Sequence, residues 1–512
     1  MKIKFDVTTQ ELAIIRQVLE STLPAHCKVW VFGSRAKNQA KYNSDLDLAI
    51  ECAEALDKTT LMQLETQFDE SRLPYRVDIV DLNKAEPYFK EIVEQQKVKF
   101  PFKNNIPELR FSDFISEWCK VTIDEVSHVV TSGSRDWAQY YSTDGAKFIR
   151  MTNLSRNHIH LLLDDLKFVR LPNQGSEGER TSLKSDDILI SITAELGKIG
   201  LVPQDIGEAY INQHTALVRP DISKMVPSFF AYKLSTRAAN KRLNRLNDSG
   251  AKSGLNLKTI KDFNFLKPEA KEQQKIATFL STVDKKLNML RRKHALLGTS
   301  KRGLMQKIFS QEIRFKQDDG SDFPDWEKKG LKDLAERRVL KNSDNGISRV
   351  LTNSATQGIL DQQDYFDKDI ANGNNLDGYY VVDKGDYVYN PRISVYAPVG
   401  PINKNKIGQG LMSPLYSIFR FRCENNEFFE KYFQTTCWHR YMCSVANFGA
   451  RHDRMNITMA DFMAMPLPCP HPEEQQKIAN CLTAFDQKID AVAQQITQLE
   501  TFKQGLLQQM FV

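Results

Sequence analysis

The 512-residue sequence lacks any run of eighteen consecutive apolar residues, and its first ten residues, MKIKFDVTTQ, lack the apolar stretch of a signal peptide. We therefore expect a cytoplasmic protein with no membrane contact. The eight cysteines include no Cys-x-x-Cys pair. Cys437, His439 and Cys443 form a cluster, but a fourth ligand and the usual zinc spacing are missing. Buried, reduced thiols are therefore preferred to a zinc site.

Several catalytic signatures are also missing. The nearest approach to the amino-methyltransferase motif Asn/Asp-Pro-Pro-aromatic is Asn390-Pro391-Arg392, which lacks the second proline and the ring. No P-loop is present, and no glycine-rich cofactor loop follows a predicted strand. The acidic residues of the segment 324–328, PDWEK, are too close together to lie on two strands of a nuclease core. The chain is therefore not expected to transfer methyl groups, hydrolyse ATP or cleave DNA by itself.

Composition favours several globular domains. The hydrophobic fraction is 41% and the charged fraction 26%, and the length allows three or four separate cores. The net charge of +6 is unevenly distributed, because residues 1–102 carry a net charge of −2 and the remainder carries +8. A basic body behind a mildly acidic head permits nucleic-acid binding by the body.

A stretch that occurs twice organises the sequence. EQQKIATFLSTVDKKL at 272–287 and EQQKIANCLTAFDQKI at 474–489 are identical at nine of sixteen positions, at a fixed offset of 202. Pro268 and Pro470 extend the match at the same offset. A unit of about two hundred residues has therefore been duplicated.

Apolar residues in both copies alternate in steps of four and three, which is the seam pattern of a coiled coil. Two unrelated surface helices, the alternative, would not share length, phase and sequence. Lys301 and Lys503 interrupt the seam at equivalent positions, beside Gly303 and Gly505, which would permit close approach. These lysines either fix the register of the helix pair or extend to solvent at its loosening end. The predicted seam contains Ile276, Leu280, Val283, Leu287, Ile478, Leu482, Phe485 and Ile489.

The first hundred residues predict a small α/β domain. A helical pattern covers 8–23, and apolar runs at 29–32, 45–50 and 77–82 predict three strands. The turn at Gly33-Ser34 follows the first of these strands, and its backbone amides could cradle phosphates.

Three aspartates are predicted to meet at one end of these strands. Asp45 and Asp47 are separated by one residue and project from the same face of a strand. Asp78, on the next strand, would complete a carboxylate cage for two magnesium ions. Asp81 is a weaker candidate for the third position.

The block VFGSRAKNQAKYNSDLDLAI, with Asp78 behind it, resembles the minimal nucleotidyltransferases of the DNA polymerase β-like superfamily over residues 1–102. The resemblance implies that Gly33 and Ser34 hold the phosphates of a nucleoside triphosphate. It also implies that the three aspartates bind Mg²⁺ and that one of them helps to deprotonate the acceptor hydroxyl. Arg35 either contacts phosphate or is a solvated loop residue. The acceptor would belong to a protein partner, unless the domain has lost its chemistry and serves only for docking.

Each copy of the duplicated unit begins in the same way. Leu109-Arg110-Phe111 and Ile313-Arg314-Phe315 precede an acidic spacer, after which Trp118 or Trp326 is expected to open a helix. The regions that follow diverge in sequence, but short β-branched and aromatic runs divided by Gly, Asp and Asn predict strand-rich domains with a few helices.

Two variable domains, each followed by a long helix beginning Glu-Gln-Gln-Lys-Ile-Ala, look like the specificity subunit of type I restriction-modification systems over residues 106–512. The resemblance implies that each variable domain recognises one half of a bipartite target in double-stranded DNA. The helices would pack antiparallel as a spacer. Modification subunits would dock on this scaffold and a restriction subunit would join them, so S-adenosylmethionine and ATP would act only through partners.

Cations at equivalent places in the two variable domains are candidates for phosphate contact. For any one of them, a solvated surface charge is the alternative. The candidates are Lys241, Arg242, Arg245, Lys252 and Lys258 in the first domain, and Arg440, Arg451 and Arg454 in the second.

The predicted architecture is therefore multidomain α/β and α+β, with a nucleotidyltransferase-like head, two recognition domains and two conserved helices. The alternative function is a protein- or RNA-modifying nucleotidyltransferase that a DNA-binding scaffold directs to its site. The predicted segments are 1–102 (head), 103–268 (first recognition domain), 269–310 (first helix), 311–470 (second recognition domain) and 471–512 (second helix).

Overall fold

The computed structural model describes residues 5–24, 27–37, 39–41, 44–100, 106–171, 178–247, 254–344, 346–365, 376–447 and 453–512. The chain divides into two compact units, one of residues 1–282 with 502–512 and one of residues 283–501. Within the described ranges, no helix is long and apolar enough to cross a membrane.

The head of the first unit is one sheet with helices packed against it. The strand order is β3-β2-β1-β4, with β2 parallel to β3 and antiparallel to β1. The first helix begins at a capping box formed by Thr8 and Glu11, and its Ile15 and Leu19 are fully buried in the core. The elements are α1 (Thr9–Thr22), β1 (Lys28–Phe32), α2 (Gly33–Ala36), β2 (Leu46–Glu51), α3 (Lys58–Asp69), β3 (Val77–Asp81), α4 (Pro87–Gln96) and β4 (Val98–Lys99).

A disulfide joins Cys27 and Cys52 in the head, so the expectation of reduced, buried thiols is wrong for this pair. Antiparallel pairing of β1 and β2 places Lys28 opposite Glu51, and Cys27 and Cys52 are the next residues outward on the two strands. The expectation of burial is also wrong for four of the free cysteines, which are exposed: Cys119, Cys423, Cys437 and Cys443.

The first recognition domain contains two four-stranded sheets, ordered β11-β10-β13-β6 and β12-β8-β9-β7, and a strand pair, β5 with β14. Its elements are β5 (Cys119–Thr122), β6 (Ser127–Ser132), β7 (Tyr141–Ser142), β8 (Ala146–Ile149), β9 (Lys167–Val169), β10 (Ile188–Ser191), β11 (Ile199–Leu201), β12 (Ala209–Ile211), β13 (Thr215–Pro220), α5 (Pro227–Ser235), α6 (Arg237–Arg245), α7 (Leu257–Lys261) and β14 (Asn264–Lys267), followed by the long helix α8 (Ala270–Phe309).

The second recognition domain repeats one of these four-stranded sheets and the strand pair, whereas its remaining strands form two-stranded sheets. Its sheet order β16-β23-β20-β21 matches β6-β13-β10-β11, and its strand pair β15 with β24 matches β5 with β14. Its elements are β15 (Glu327–Gly330), α9 (Leu331–Leu334), β16 (Ala335–Arg338), β17 (Leu351–Ser354), β18 (Gly358–Asp361), α10 (Gln362–Tyr365), β19 (Tyr380–Val382), β20 (Tyr387–Tyr389), β21 (Ile402–Lys404), β22 (Gly410–Met412), β23 (Ser417–Phe421), α11 (Glu427–Phe433), α12 (His439–Val445), α13 (Met459–Met463) and β24 (Pro466–Cys469), followed by the long helix α14 (Pro472–Gln509).

Trp118 and Trp326 precede strands, so the expectation that each tryptophan opens a helix is wrong. Trp118 comes directly before β5 and Trp326 directly before β15. Each strand pairs with the strand that leads into a long helix, as the partners Cys119↔Lys267 and Glu327↔Cys469 show. Pairing with a strand far away in sequence outweighs the local pattern here.

Within the second unit, the two long helices run antiparallel. The side chains of Arg291 and Glu500 lie 2.6 Å apart, and the Lys301 Nζ lies 2.6 Å from Asp486 Oδ1, so positions rise along α8 as they fall along α14. Lys301 also donates to Gln434 Oε1 at 3.0 Å, which favours the register role over extension into solvent. Six of the eight predicted seam residues are buried and two are half-buried, Phe485 and Ile489.

Gly303 and Gly505 do not mark a close helix approach, which corrects that expectation. A Cβ atom added at either glycine would meet no described atom within 4 Å.

The end of each long helix is anchored by an aromatic residue at the same repeat position. In the second unit, the Phe309 ring packs on Trp326 and Phe428, with centroid distances of 6.5 and 5.5 Å. In the first unit, the Phe511 ring packs on Trp118 and Phe229, at 6.3 and 5.4 Å. The duplication therefore includes the contact between each helix end and a recognition domain.

Candidate functional sites

The predicted carboxylate site lies at one end of the head sheet. Asp47 and Asp78 are register partners on the parallel strands β2 and β3, and Asp47 is also opposite Phe32, the last residue of β1. Asp45 is exposed just before β2, whereas Asp47 and Asp78 are half-buried. The fold thus brings all three aspartates to one sheet end, although Asp45 precedes β2 and does not lie on the strand as expected.

Gly33 lies against the Asp47 carboxylate. Its φ is +73°, and an added Cβ would lie 2.1 Å from Asp47 Oδ2. A side chain at this position would be strained and would displace Asp47. The turn at Gly33-Ser34 is therefore shaped around this aspartate, and Ser34, half-buried, follows it in the short helix α2.

Burial raises the pKa of Asp47, and the nearby charges of Asp78 and Asp45 raise it further. Because these neighbouring charges disfavour ionisation of Asp47, a cation at this position would stabilise its charged form. Asp78 is half-exposed and has an exposed partner, Arg76, whose Nε lies 3.3 Å from Asp78 Oδ1. Solvent screens this pair, so a cation could replace the guanidinium at small cost.

The donor set fits Mg²⁺, which prefers carboxylate oxygens and water. Among the residues that the structure describes, however, no three carboxylate, histidine or cysteine side chains are already grouped closely enough to hold an ion. The metal-binding role of Asp45, Asp47 and Asp78 therefore stays a prediction that rests on their chemistry and mutual repulsion.

Arg35 is neither a phosphate contact at the surface nor a solvated loop residue, which corrects both alternatives. Its side chain is 4% exposed, and its Nε and NH2 groups donate to the carbonyl of Ser44 at 2.9 and 2.7 Å. NH1 donates to the carbonyl of Asp6 at 2.7 Å, and the guanidinium stacks on the Tyr75 ring. Arg35 therefore ties the segment before β2 to the domain core.

Asp81 has a structural role. Its carboxylate is buried and accepts hydrogen bonds from the backbone N–H groups of Leu56 and Asn83, at 2.9 and 3.0 Å. These bonds fix two loops and leave Asp78 as the better third carboxylate.

The candidate DNA-contacting cations of the first recognition domain lie in different surroundings. Lys241 and Arg245 are exposed one turn apart on α6, and Lys258 is exposed on α7. Arg242 instead donates to Asn264 Oδ1 at 3.0 Å and lies over the Phe263 ring, so part of its role is structural.

In the second recognition domain, Arg440 is exposed on α12. The main chain of Arg454 pairs with that of Arg392, and its side chain lies beside Asp453. Lys252 and Arg451 lie outside the described residues.

Sequence reasoning missed an ion pair between an arginine and a buried glutamate that both copies share. Arg110 donates twice to Glu272 at 2.7 Å in the first unit, and Arg314 donates twice to Glu474 at 2.8 Å in the second. Both glutamates are fully buried. The signal was available, because each Arg-Phe opening and each Glu-Gln-Gln sequence recurs at nearly the same offset.

Two models of known protein families match the head and the two recognition domains of this chain. The model for the polymerase β nucleotidyltransferase domain matches residues 15–100, and the model for the type I restriction modification DNA specificity domain matches residues 115–297 and 324–501. A 105-residue stretch is 40% identical to "Probable protein adenylyltransferase MntA" of Haemophilus influenzae, covering 20% of this chain and 91% of that protein.

A longer stretch of 351 residues is 25% identical to "Putative type I restriction enzyme MjaX specificity subunit" of Methanocaldococcus jannaschii, covering 63% of this chain and 76% of that protein. Among solved structures, the S subunit of a type I restriction-modification system from M. genitalium overlaps with a TM-score of 0.48 and 14% identity, covering 80% of this chain and 99% of that one.

Proposed function

The chain belongs to the type I restriction-modification DNA specificity family, and from this we propose that its two recognition domains each read one half of a bipartite DNA target. The two long helices set the distance between the halves and provide the docking surface for modification subunits, which a restriction subunit joins. These partners supply S-adenosylmethionine and ATP. For the head, the two recognition domains and the two long helices, we propose the boundaries that were predicted from the sequence.

One observation carries this proposal: the two recognition domains share the topology of one four-stranded sheet although their sequences diverge. The sheet orders β11-β10-β13-β6 and β21-β20-β23-β16 are equivalent. In each domain, a buried aspartate directly before the second strand is paired with an arginine on the third strand, Asp187 with Arg219 and Asp386 with Arg420. A fixed scaffold with variable surfaces is suited to reading two different short sequences.

Mapping of methylated sites tests this function. A host that expresses this chain with its modification subunit is expected to carry methylated bases in a two-part motif with a fixed gap. A contiguous motif, or an unmethylated genome despite an assembled complex, would contradict the proposal.

We propose that the head transfers a nucleotide from a nucleoside triphosphate, with ATP favoured, to a protein partner and thereby regulates the complex. The head belongs to the nucleotidyltransferase family, since this chain covers 91% of a relative that is 40% identical to it. That relative is named a protein adenylyltransferase, which favours protein as the acceptor.

Different residues of the head would bind the metal ion, bind phosphate and accept the proton. Asp47, held between Gly33 and the neighbouring carboxylates, and Asp78 on the adjacent strand would hold Mg²⁺ together with Asp45. When bound, the metal would supply charge stabilisation at the α-phosphate. The amides at Gly33-Ser34 would bind phosphate, and one carboxylate would accept the proton of the acceptor hydroxyl.

Labelling identifies the acceptor. The purified chain is incubated with ATP labelled at the α-phosphate, Mg²⁺ and either its modification subunit, its restriction subunit or cellular RNA. Label on one protein subunit is the expected result. Label confined to RNA would favour the alternative of an RNA-modifying enzyme, and no label on any acceptor would favour a domain kept for docking.

A further inference from the structure

The hairpin between β20 and β21 exposes an apolar tip. Five consecutive residues, 392–396, are exposed between buried Pro391 and buried Ala397. Val395 is 96% exposed and Tyr396 is 78% exposed. Among the large apolar residues that the structure describes, none is more exposed than Val395. Adjacent large apolar side chains in water point to a surface that another molecule covers.

Hydrogen bonds within the hairpin hold this tip in one conformation. The backbone N–H of Ser394 donates to the carbonyl of Ala397 at 3.0 Å, and the reverse bond measures 3.1 Å. The Ser394 hydroxyl accepts a further bond from the Ala397 N–H. Val399 anchors the returning strand in the core. A preorganised tip loses little entropy when it binds.

The base of the hairpin is fixed to a second segment that carries charge. Ile393 N–H donates to the carbonyl of Asp453 at 3.0 Å, and Met455 N–H donates to the carbonyl of Pro391 at 2.8 Å. This pairing places Arg392 and Arg454 side by side on the main chain.

The charge beside the tip is net positive. The Arg454 NH2 group lies 3.4 Å from Asp453 Oδ2, while its buried Nε donor has no partner among the described residues. Arg392 is exposed. Two guanidinium groups with one carboxylate next to an apolar tip favour a polyanion as the occupant.

The first recognition domain has the same hairpin with a different tip. Leu255 N–H donates to the carbonyl of Ile192 at 2.9 Å, and Thr193 pairs with Gly254, so this hairpin is also pinned to the following segment. Its exposed tip residues are Ala194 and Glu195. The scaffold contact is thus duplicated and the tip is not, as expected of a feature that distinguishes two half-sites.

We propose that the Val395–Tyr396 tip enters a DNA groove and makes apolar contact with bases in one half of the target, while Arg392 and Arg454 bind the adjacent phosphates. This inference rests on the proposed DNA-specificity function. Thymine methyl groups and a partly unstacked base step are the features of DNA that accept such apolar contacts.

The test uses the complex of this chain with its modification subunits and the target found by methylation mapping. Binding is measured to the intact duplex and to duplexes with either half scrambled. Tyr396→Ala is expected to weaken binding of the intact target by about 10-fold or more, in the range of one lost base contact. It is also expected to lower discrimination by a similar factor at one half only, whereas Tyr396→Phe retains native binding and discrimination.

Two further variants separate base contact from general effects. Arg392→Gln is expected to weaken binding of intact and scrambled duplexes alike and to lower the salt dependence by about one phosphate contact. Leu340→Ala is the matched control, because Leu340 is 59% exposed and follows β16 at the opposite edge of the same sheet. Its binding is expected to equal that of the native complex.

The measurements also distinguish failure of the proposed tip contact from failure of the proposed specificity function. If Tyr396→Ala binds and discriminates like the native complex, or loses discrimination equally at both halves, the proposed tip contact is wrong while the specificity function stands. If the native complex itself does not distinguish intact from scrambled duplexes, the proposed function fails.

Discussion

Replacing Arg314 with methionine is expected to destabilise the second unit by about 3–5 kcal/mol, the typical result of leaving a buried charge without its partner. Glu474 is fully buried, and Arg314 donates to both of its carboxylate oxygens at 2.8 Å. The substitution leaves the Trp326 indole N–H as a described donor to that carboxylate, at 3.0 Å. One neutral donor cannot replace a guanidinium.

Hydrogen exchange of β15 and α11 in the second unit provides the measurement, because a chain with two units need not unfold in one step. Adding Glu474→Gln to Arg314→Met is expected to recover about 2 kcal/mol, since the neutral amide still accepts from Trp326 and needs no counter-charge. Lys316→Met is the matched control, because Lys316 and Asp322 form an exposed pair with side chains 63% and 82% accessible. Such a pair contributes about 0–1 kcal/mol.

The equivalent variant Arg110→Met removes the arginine partner of the buried Glu272 in the first unit. Its effect is expected in β5 and α5 rather than in β15 and α11. Protection that fell equally in both units after either substitution would show that the two ion pairs do not act locally.

The repeated and periodic features of the fold could be predicted from the sequence, because each depends on residues close together in the chain. The helical pattern at 8–23 corresponds to α1, and the alternation of Asp47 with buried leucines on either side corresponds to β2. The long helices begin within two residues of their predicted start. In each case the local pattern and the tertiary contacts favour the same structure.

Long-range contacts explain what the sequence could not reveal. Arg35 is adjacent to the Gly-Ser turn, which suggested phosphate, but its acceptors are carbonyls of Asp6 and Ser44, which no side-chain pattern identifies. Trp118 and Trp326 precede strands because each strand's partner lies more than a hundred residues away. The Val395–Tyr396 tip differs between the copies, so comparison of the two copies could not find it.

Replacing Asp45 and Asp47 together with asparagine is expected to lower nucleotide transfer by about a thousandfold or more, because metal assistance contributes several kcal/mol to the reaction barrier. Asparagine keeps the shape of each side chain and removes its charge. The raised pKa of Asp47 predicts a related effect in the native chain, because protons compete with Mg²⁺ for this carboxylate at a higher pH than for an ordinary aspartate. The Mg²⁺ concentration needed for half-maximal transfer is therefore expected to rise as pH falls.

The same double variant is expected to bind and support methylation of the DNA target at native levels, since neither aspartate belongs to a recognition domain. Label transfer from ATP and protection of the target from a matching nuclease are measured on one preparation. Asp69→Asn, which neutralises an exposed carboxylate at the end of α3, is the control for charge alone and is expected to leave transfer unchanged. Equal labelling by the native chain and the double variant would show that the head does not catalyse nucleotide transfer. Lost labelling with lost methylation would show instead that nucleotide transfer and DNA recognition depend on each other.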